Sequence, residues 1–148
     1  MIVLDLPGFG QSDKPRMNYT IKFYREFVFQ FLKSSEINKT SIIGSSLGGH
    51  ITAEVALAHP PVVEKLVLIS PAGALPFSFN GTAALEAYIK VIYAKSVQQV
   101  RQALFAVDDK SNDEDDNTYA QLVFQNISMP GAKDAFLSAL KAAHRLHD

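Results

Sequence analysis

The sequence predicts an α/β fold: a parallel sheet of about three strands with flanking helices, followed by an all-helical segment. Three observations predict it. Apolar runs of strand length alternate with helix-patterned stretches through about residue 74, in the order strand, helix, strand, helix, strand. That alternation requires parallel pairing through right-handed crossovers. After about Leu75 no strand-like run follows, and the rest reads as helices separated by polar breaks. Finally, 148 residues at 47% hydrophobic and 20% charged suffice for one buried core.

Each element has its own local cause. Ile2 to Leu6 is apolar except for Asp5, the pattern of a strand buried on both faces. Pro7-Gly8-Phe9-Gly10 breaks it, and the polar stretch from Gln11 to Asn18, with Pro15, is a loop. From Thr20 to about Ser35, Ile21, Tyr24, Phe27, Val28, Phe31 and Leu32 form a helical apolar stripe. Ile37-Asn38-Lys39 then turns the chain into a strand from Ser41 to Gly44. The helix that continues through Ile51 to Leu57 ends near His59-Pro60-Pro61, because a proline pair cannot extend it. Lys65 to Ser70 is a further buried strand, closed by Pro71-Ala72-Gly73-Ala74. Four helices are predicted beyond it, over Thr82 to Tyr93, Ser96 to about Val107, Asn117 to about Ser128, and Lys133 to His147. The chain thus divides into an α/β portion, residues 1–74, and a helical portion, residues 75–148.

Chemistry concentrates in Gly44-Ser45-Ser46-Leu47-Gly48-Gly49, a Gly-x-Ser-x-Gly motif set between a β-branched strand and a helix. So tight a turn is expected to need small residues on both sides of the serine, at Gly44 and Gly48. It also strains Ser46 and lifts its hydroxyl to the mouth of a helix, where backbone N–H groups and the helix dipole favour negative charge. Such a serine is a candidate nucleophile.

These residues carry a family resemblance. Asp5-Leu6-Pro7-Gly8-Phe9-Gly10-Gln11-Ser12-Asp13-Lys14-Pro15 resembles the loop after the fourth strand of α/β-hydrolase-fold proteins. Gly44 to Gly49 resembles their nucleophile elbow, and Lys65 to Ala74 their sixth strand and its exit. The resemblance covers the first half of the chain, and the helical remainder sits where many members insert a cap. It implies a partial α/β-hydrolase sheet, Ser46 as nucleophile, the N–H of Leu47 as oxyanion donor, and Gly44, Gly48 and Gly49 as structural residues of the elbow. The implied chemistry is acyl-enzyme hydrolysis of an ester or related carbonyl substrate. Serine at this position argues against the branches that use aspartate. Members also have strands before the first one here and after the cap, bearing the acid and then the base of the triad. The chain is therefore expected to be a central fragment of the fold, without triad acid or base. The alternative is a hydrolase-fold ligand-binding or interaction module that has lost the chemistry.

The remaining candidates are read more plainly. Of four histidines, His50 lies one turn beyond Ser46 and is expected to pack beside the turn rather than reach the hydroxyl. His59 lies roughly 20 Å along the helix at 1.5 Å per residue. His144 and His147 belong to the last predicted helix. Asp5 is expected to bond N–H groups of the Pro7–Gly10 turn. The acidic run from Asp108 to Asn117 fails as a calcium loop, since Glu114 and Ala120 fall where glycine and a bidentate glutamate are needed. It reads as a solvated loop whose Asp115, Asp116 or Asn117 caps the next helix. Phe77, Phe79, Tyr88, Tyr93 and Phe105 pack between helices or line an acyl or aromatic pocket. Nothing calls for a cofactor or a metal. A net charge of −1 gives no reason for a nucleic-acid partner, and no apolar stretch approaches a membrane span. The expected partner is a small molecule with an apolar acyl or aromatic group. Zero cysteines fit a cytoplasmic location, and no oligomeric state follows.

Overall fold

In the computed structural model, which describes residues 1–73, 83–105 and 114–144, the first regular element is helix α1, Ile21–Ser34. Thr20 caps it, its side-chain oxygen accepting the Phe23 N–H at 3.0 Å. Four of the six residues of the stripe read from sequence, Ile21, Tyr24, Val28 and Leu32, are buried, and Phe27 and Phe31 are half-buried at its margin. Strand β1 (Thr40–Ser45), helix α2 (Leu47–Ala58) and strand β2 (Val63–Ile69) follow. A short 3₁₀ turn at Pro60–Val62 sits where the proline pair ends α2.

The two strands run parallel, with Ile42 opposite Leu66, Ile43 opposite Val67, Gly44 opposite Leu68 and Ser45 opposite Ile69. Among the described residues the sheet has these two strands only. Ile2 to Leu6, expected as a third, forms no strand, and Ile2, Val3 and Leu4 are exposed. A strand needs a ladder partner, and the ladder among the described residues pairs β1 with β2 alone. One compact unit takes Met1–Arg16 and Ser78–Phe136. The other compact unit takes Met17–Phe77 and Leu137–Asp148.

In that second unit α2 packs on one face of the sheet and α1 packs on α2. Tyr19, Tyr24, Ile51 and Val55 are the most deeply buried side chains there. The opposite sheet face is open: Ile43 is 69%, Val67 50% and Ile69 51% exposed.

The first unit is built on helices α3 (Ala83–Ile92), α4 (Val97–Phe105) and α5 (Glu114–Ser128), with the first turn of α6 (Ala132–His144). Val91, Val100 and Ala120 form its core, with Leu104, Val123 and Phe124 packed around them. Helix α5 begins earlier than expected. Glu114, Asp115 and Asp116 lie in its first turn rather than before it, where carboxylates complement the positive end of the helix dipole.

Candidate active site

One residue joins β1 to α2. Extended backbone gives way to helix across Ser46 alone, and that residue absorbs the change at φ 51°, ψ −119°. Glycine takes this conformation readily and other residues rarely. Hydrogen bonds hold it there. Its N–H donates to the Ile69 carbonyl at 2.9 Å, and its carbonyl accepts the N–H groups of His50 at 3.2 Å and Ala72 at 2.9 Å. The side chain is exposed, and its hydroxyl makes no capping bond to the helix. The chain leaves β2 through a second strained residue, Ser70 at φ 43°.

The glycines around the turn have unequal duties. A Cβ on Gly44 would collide with the Gly48 carbonyl oxygen and Thr52 Oγ1. A Cβ on Gly49 would lie 2.9 Å from Pro71 Cβ and 3.1 Å from the Gly44 oxygen. Gly48 departs from expectation, because a Cβ there would meet nothing within 4 Å. The space is tight before Ser46 and at Gly49, not two residues after the serine. Pro71 and Ala72 are supports that sequence reasoning missed. The doubled glycine, Gly48-Gly49, was the signal that something lay close.

The structure brings no histidine to the Ser46 hydroxyl by hydrogen bond among the described residues. His50 is buried, 8% exposed, and its Nδ1 has no partner among the described residues. Burial pushes its pKa below the ordinary value, while Glu54, one turn along, pulls it back up. His59, at the far end of α2, stacks on Phe29 with ring centroids 3.6 Å apart and lies 3.8 Å from Glu26 Oε1. Arg25 holds the Glu26 carboxyl below the usual carboxylate range, helped by His59. The His144 side chain, His147, the acidic stretch 106–113, Phe77 and Phe79 lie outside the described residues.

Asp5 serves its loop one residue later than expected. Its Oδ2 accepts the Gln11 N–H at 2.8 Å, and its carbonyl accepts the Ser12 hydroxyl at 2.6 Å. Gly10, at φ 50°, leaves no room for a Cβ against that carboxylate. The aromatics of the helical segment make ring contacts: Tyr88 with Phe136 at 6.1 Å and Phe105 with Tyr119 at 6.2 Å. Tyr93 lies under the Lys133 ammonium at 3.6 Å.

Residues 1–137 match the family model for the alpha/beta hydrolase fold. The chain belongs to the α/β-hydrolase fold family. Among curated relatives, this α/β-hydrolase chain is 32% identical over 146 residues to the 2-hydroxymuconate semialdehyde hydrolase of Pseudomonas sp. strain CF600. That match covers 96% of this chain and 48% of the relative. It is 28% identical over 144 residues to the 2-hydroxy-6-oxo-2,4-heptadienoate hydrolase of Pseudomonas putida strain F1, covering 96% and 50%. Among solved structures, a mutant of the meta-cleavage product hydrolase from Pseudomonas fluorescens IP01 superposes with a TM-score of 0.70 at 25% identity. It covers 97% of this chain and 52% of that one. A probable hydrolytic enzyme from Pseudomonas aeruginosa PAO1 shares the fold at a TM-score of 0.70 and 24% identity, covering 96% and 48%. The chain spans about half the length of these relatives. No helix among the described residues is long and apolar enough to cross a membrane.

Proposed function

We propose that this chain carries the nucleophile elbow of a serine hydrolase acting on a small molecule with an ester or related carbonyl group. One observation carries the reading: Ser46 stands exposed at φ 51° on a one-residue turn between a parallel strand and a helix N-terminus. In this mechanism Ser46 Oγ bonds to the acyl carbon as its proton passes to a base, and the Leu47 N–H stabilises the oxyanion. The leaving group departs with a proton, and water then releases the acyl group and restores the hydroxyl. Gly44 and Gly49 give the turn its close packing, and Gly48 belongs to the same motif. The helical segment from about residue 75 corresponds to the cap that many members of the family carry. No described residue is assigned as the acid or the base. The names of two relatives favour a conjugated oxo-acid substrate; an apolar acyl or aromatic substrate and a cytoplasmic setting belong to the same proposal.

A second reading, a non-catalytic ligand-binding or interaction module, is favoured by the lack of any histidine hydrogen-bonded to Ser46 among the described residues. A fluorophosphonate probe separates the two. With imidazole added as a base, the wild-type chain is expected to be labelled at Ser46 and the Ser46→Ala variant not at all. Folded, soluble wild-type protein that resists labelling would sink the enzymatic reading for this chain.

A further inference from the structure

The loop from Pro7 to Arg16 meets the corner between α5 and α6 through contacts that the reading of Ser46 does not use. The Lys14 ammonium donates to the Gly10 and Ser12 carbonyls, both at 2.8 Å, and to Met129 Sδ at 3.4 Å. An ammonium has three donors, and here each has an acceptor. None of them is a carboxylate, and Lys14 makes no ion pair among the described residues. The group is therefore held by short-range geometry rather than by long-range charge.

Three further contacts join the same two segments. The Gln11 side-chain amide donates to Asn126 Oδ1 at 3.0 Å. The Phe9 and Phe136 rings meet edge to face at 6.5 Å. Gly131, at φ 82°, sits so close that a Cβ would lie 2.5 Å from the Lys14 carbonyl oxygen. All of these residues belong to one compact unit.

We propose that Lys14 is a positioning residue, a pin that fixes the α5–α6 corner to the Pro7–Arg16 loop so that the two move as one body. The ammonium draws the Gly10 and Ser12 carbonyls together, shaping the loop, and reaches across to Met129 with its remaining N–H. Arginine cannot replace it, because a planar fork does not match three acceptors arranged around one nitrogen. The helical segment is thereby anchored at this corner, whatever chemistry Ser46 performs.

Amide hydrogen exchange tests the pin, because the corner has its own reporters. The Met129, Ala132 and Ala135 N–H groups bond to the Asn126, Met129 and Gly131 carbonyls. In Lys14→Met, which keeps the stem and loses the donors, these amides are expected to exchange on the order of tenfold faster. The Ser46 amide, bonded to Ile69 in the other unit, is expected to keep its protection. Lys14→Arg is expected to behave like Lys14→Met. Unchanged corner amides in Lys14→Met overturn the proposal, as does an equal rise at the Ser46 amide. Full protection in Lys14→Arg also overturns it, since charge alone would then suffice. Should Lys14→Met not fold, Met129→Leu removes one acceptor, and a smaller rise confined to the same three amides is expected. No rise there would overturn the pin.

Discussion

The carbonyl of Ser46 accepts the N–H of Ala72 at 2.9 Å, while the Ser46 N–H donates to the Ile69 carbonyl at the same distance. The residue between β1 and α2 is thus clasped on both sides by the end of β2 and the turn beyond it. An unfavourable backbone conformation persists where its surroundings over-determine it, and this clasp supplies the determination. The pairing of the two strands matters for that reason: β2 lies beside β1 and brings Ile69 and Ala72 to Ser46.

Strain at Ser46 predicts an inverted stability order. At ordinary positions alanine is favoured over glycine by roughly 0.5–1 kcal/mol. At φ 51° the Cβ of Ser46 or of alanine carries a conformational cost that glycine lacks, of about 1–3 kcal/mol. Ser46→Gly is therefore expected to be about 1 kcal/mol more stable than Ser46→Ala in urea unfolding. Alanine matching or exceeding glycine would mean that the turn is relaxed.

Gly44 and Gly48 are expected to respond oppositely to alanine. The Gly44 Cβ would be driven into the Gly48 carbonyl oxygen and Thr52 Oγ1, and overpacking of this kind costs about 1–3 kcal/mol. At Gly48 the Cβ has open space within α2, so alanine is expected to stabilise by up to about 1 kcal/mol through helix propensity. Urea midpoints of the two variants measure the contrast. Equal losses would put the crowding on both sides of Ser46.

Local signals in the sequence carried the elements that depend on local physics. Thr20 before an apolar stripe fixed the start of α1, the proline pair the end of α2, and the small residues around Ser46 the turn itself. Non-local requirements were less legible. Ile2 to Leu6 has a strand's apolarity, but apolarity does not name the partner on which a strand depends. Gly48 looked obligatory because the motif is symmetric about the serine, whereas the turn is not: one side is strand and the other helix. The open face bearing Ile43, Val67 and Ile69 follows the same rule, since period-two alternation tells which residues share a face and not what covers it.

His50 gives the turn a pH dependence whose sign can be worked out. Burial holds its folded-state pKa below the unfolded value of 6.5, with Glu54 opposing the shift. The unfolded chain therefore binds the proton more readily than the native one. Stability contributed by the neutral ring is fully present above pH 6.5 and falls as pH drops from 6.5 toward the folded-state pKa. Below that pKa the loss is complete. His50→Phe, which keeps a ring and cannot titrate, is expected to lack this component, so its urea midpoint should fall less between pH 7.5 and pH 5 than the wild type's. Glu54→Gln removes the opposing charge, which otherwise favours the protonated ring. It is expected to depress the His50 pKa further and steepen the loss, as an NMR titration of the His50 ring would report directly. Parallel wild-type and His50→Phe profiles across this range would show that the ring pays no penalty for charging where it sits.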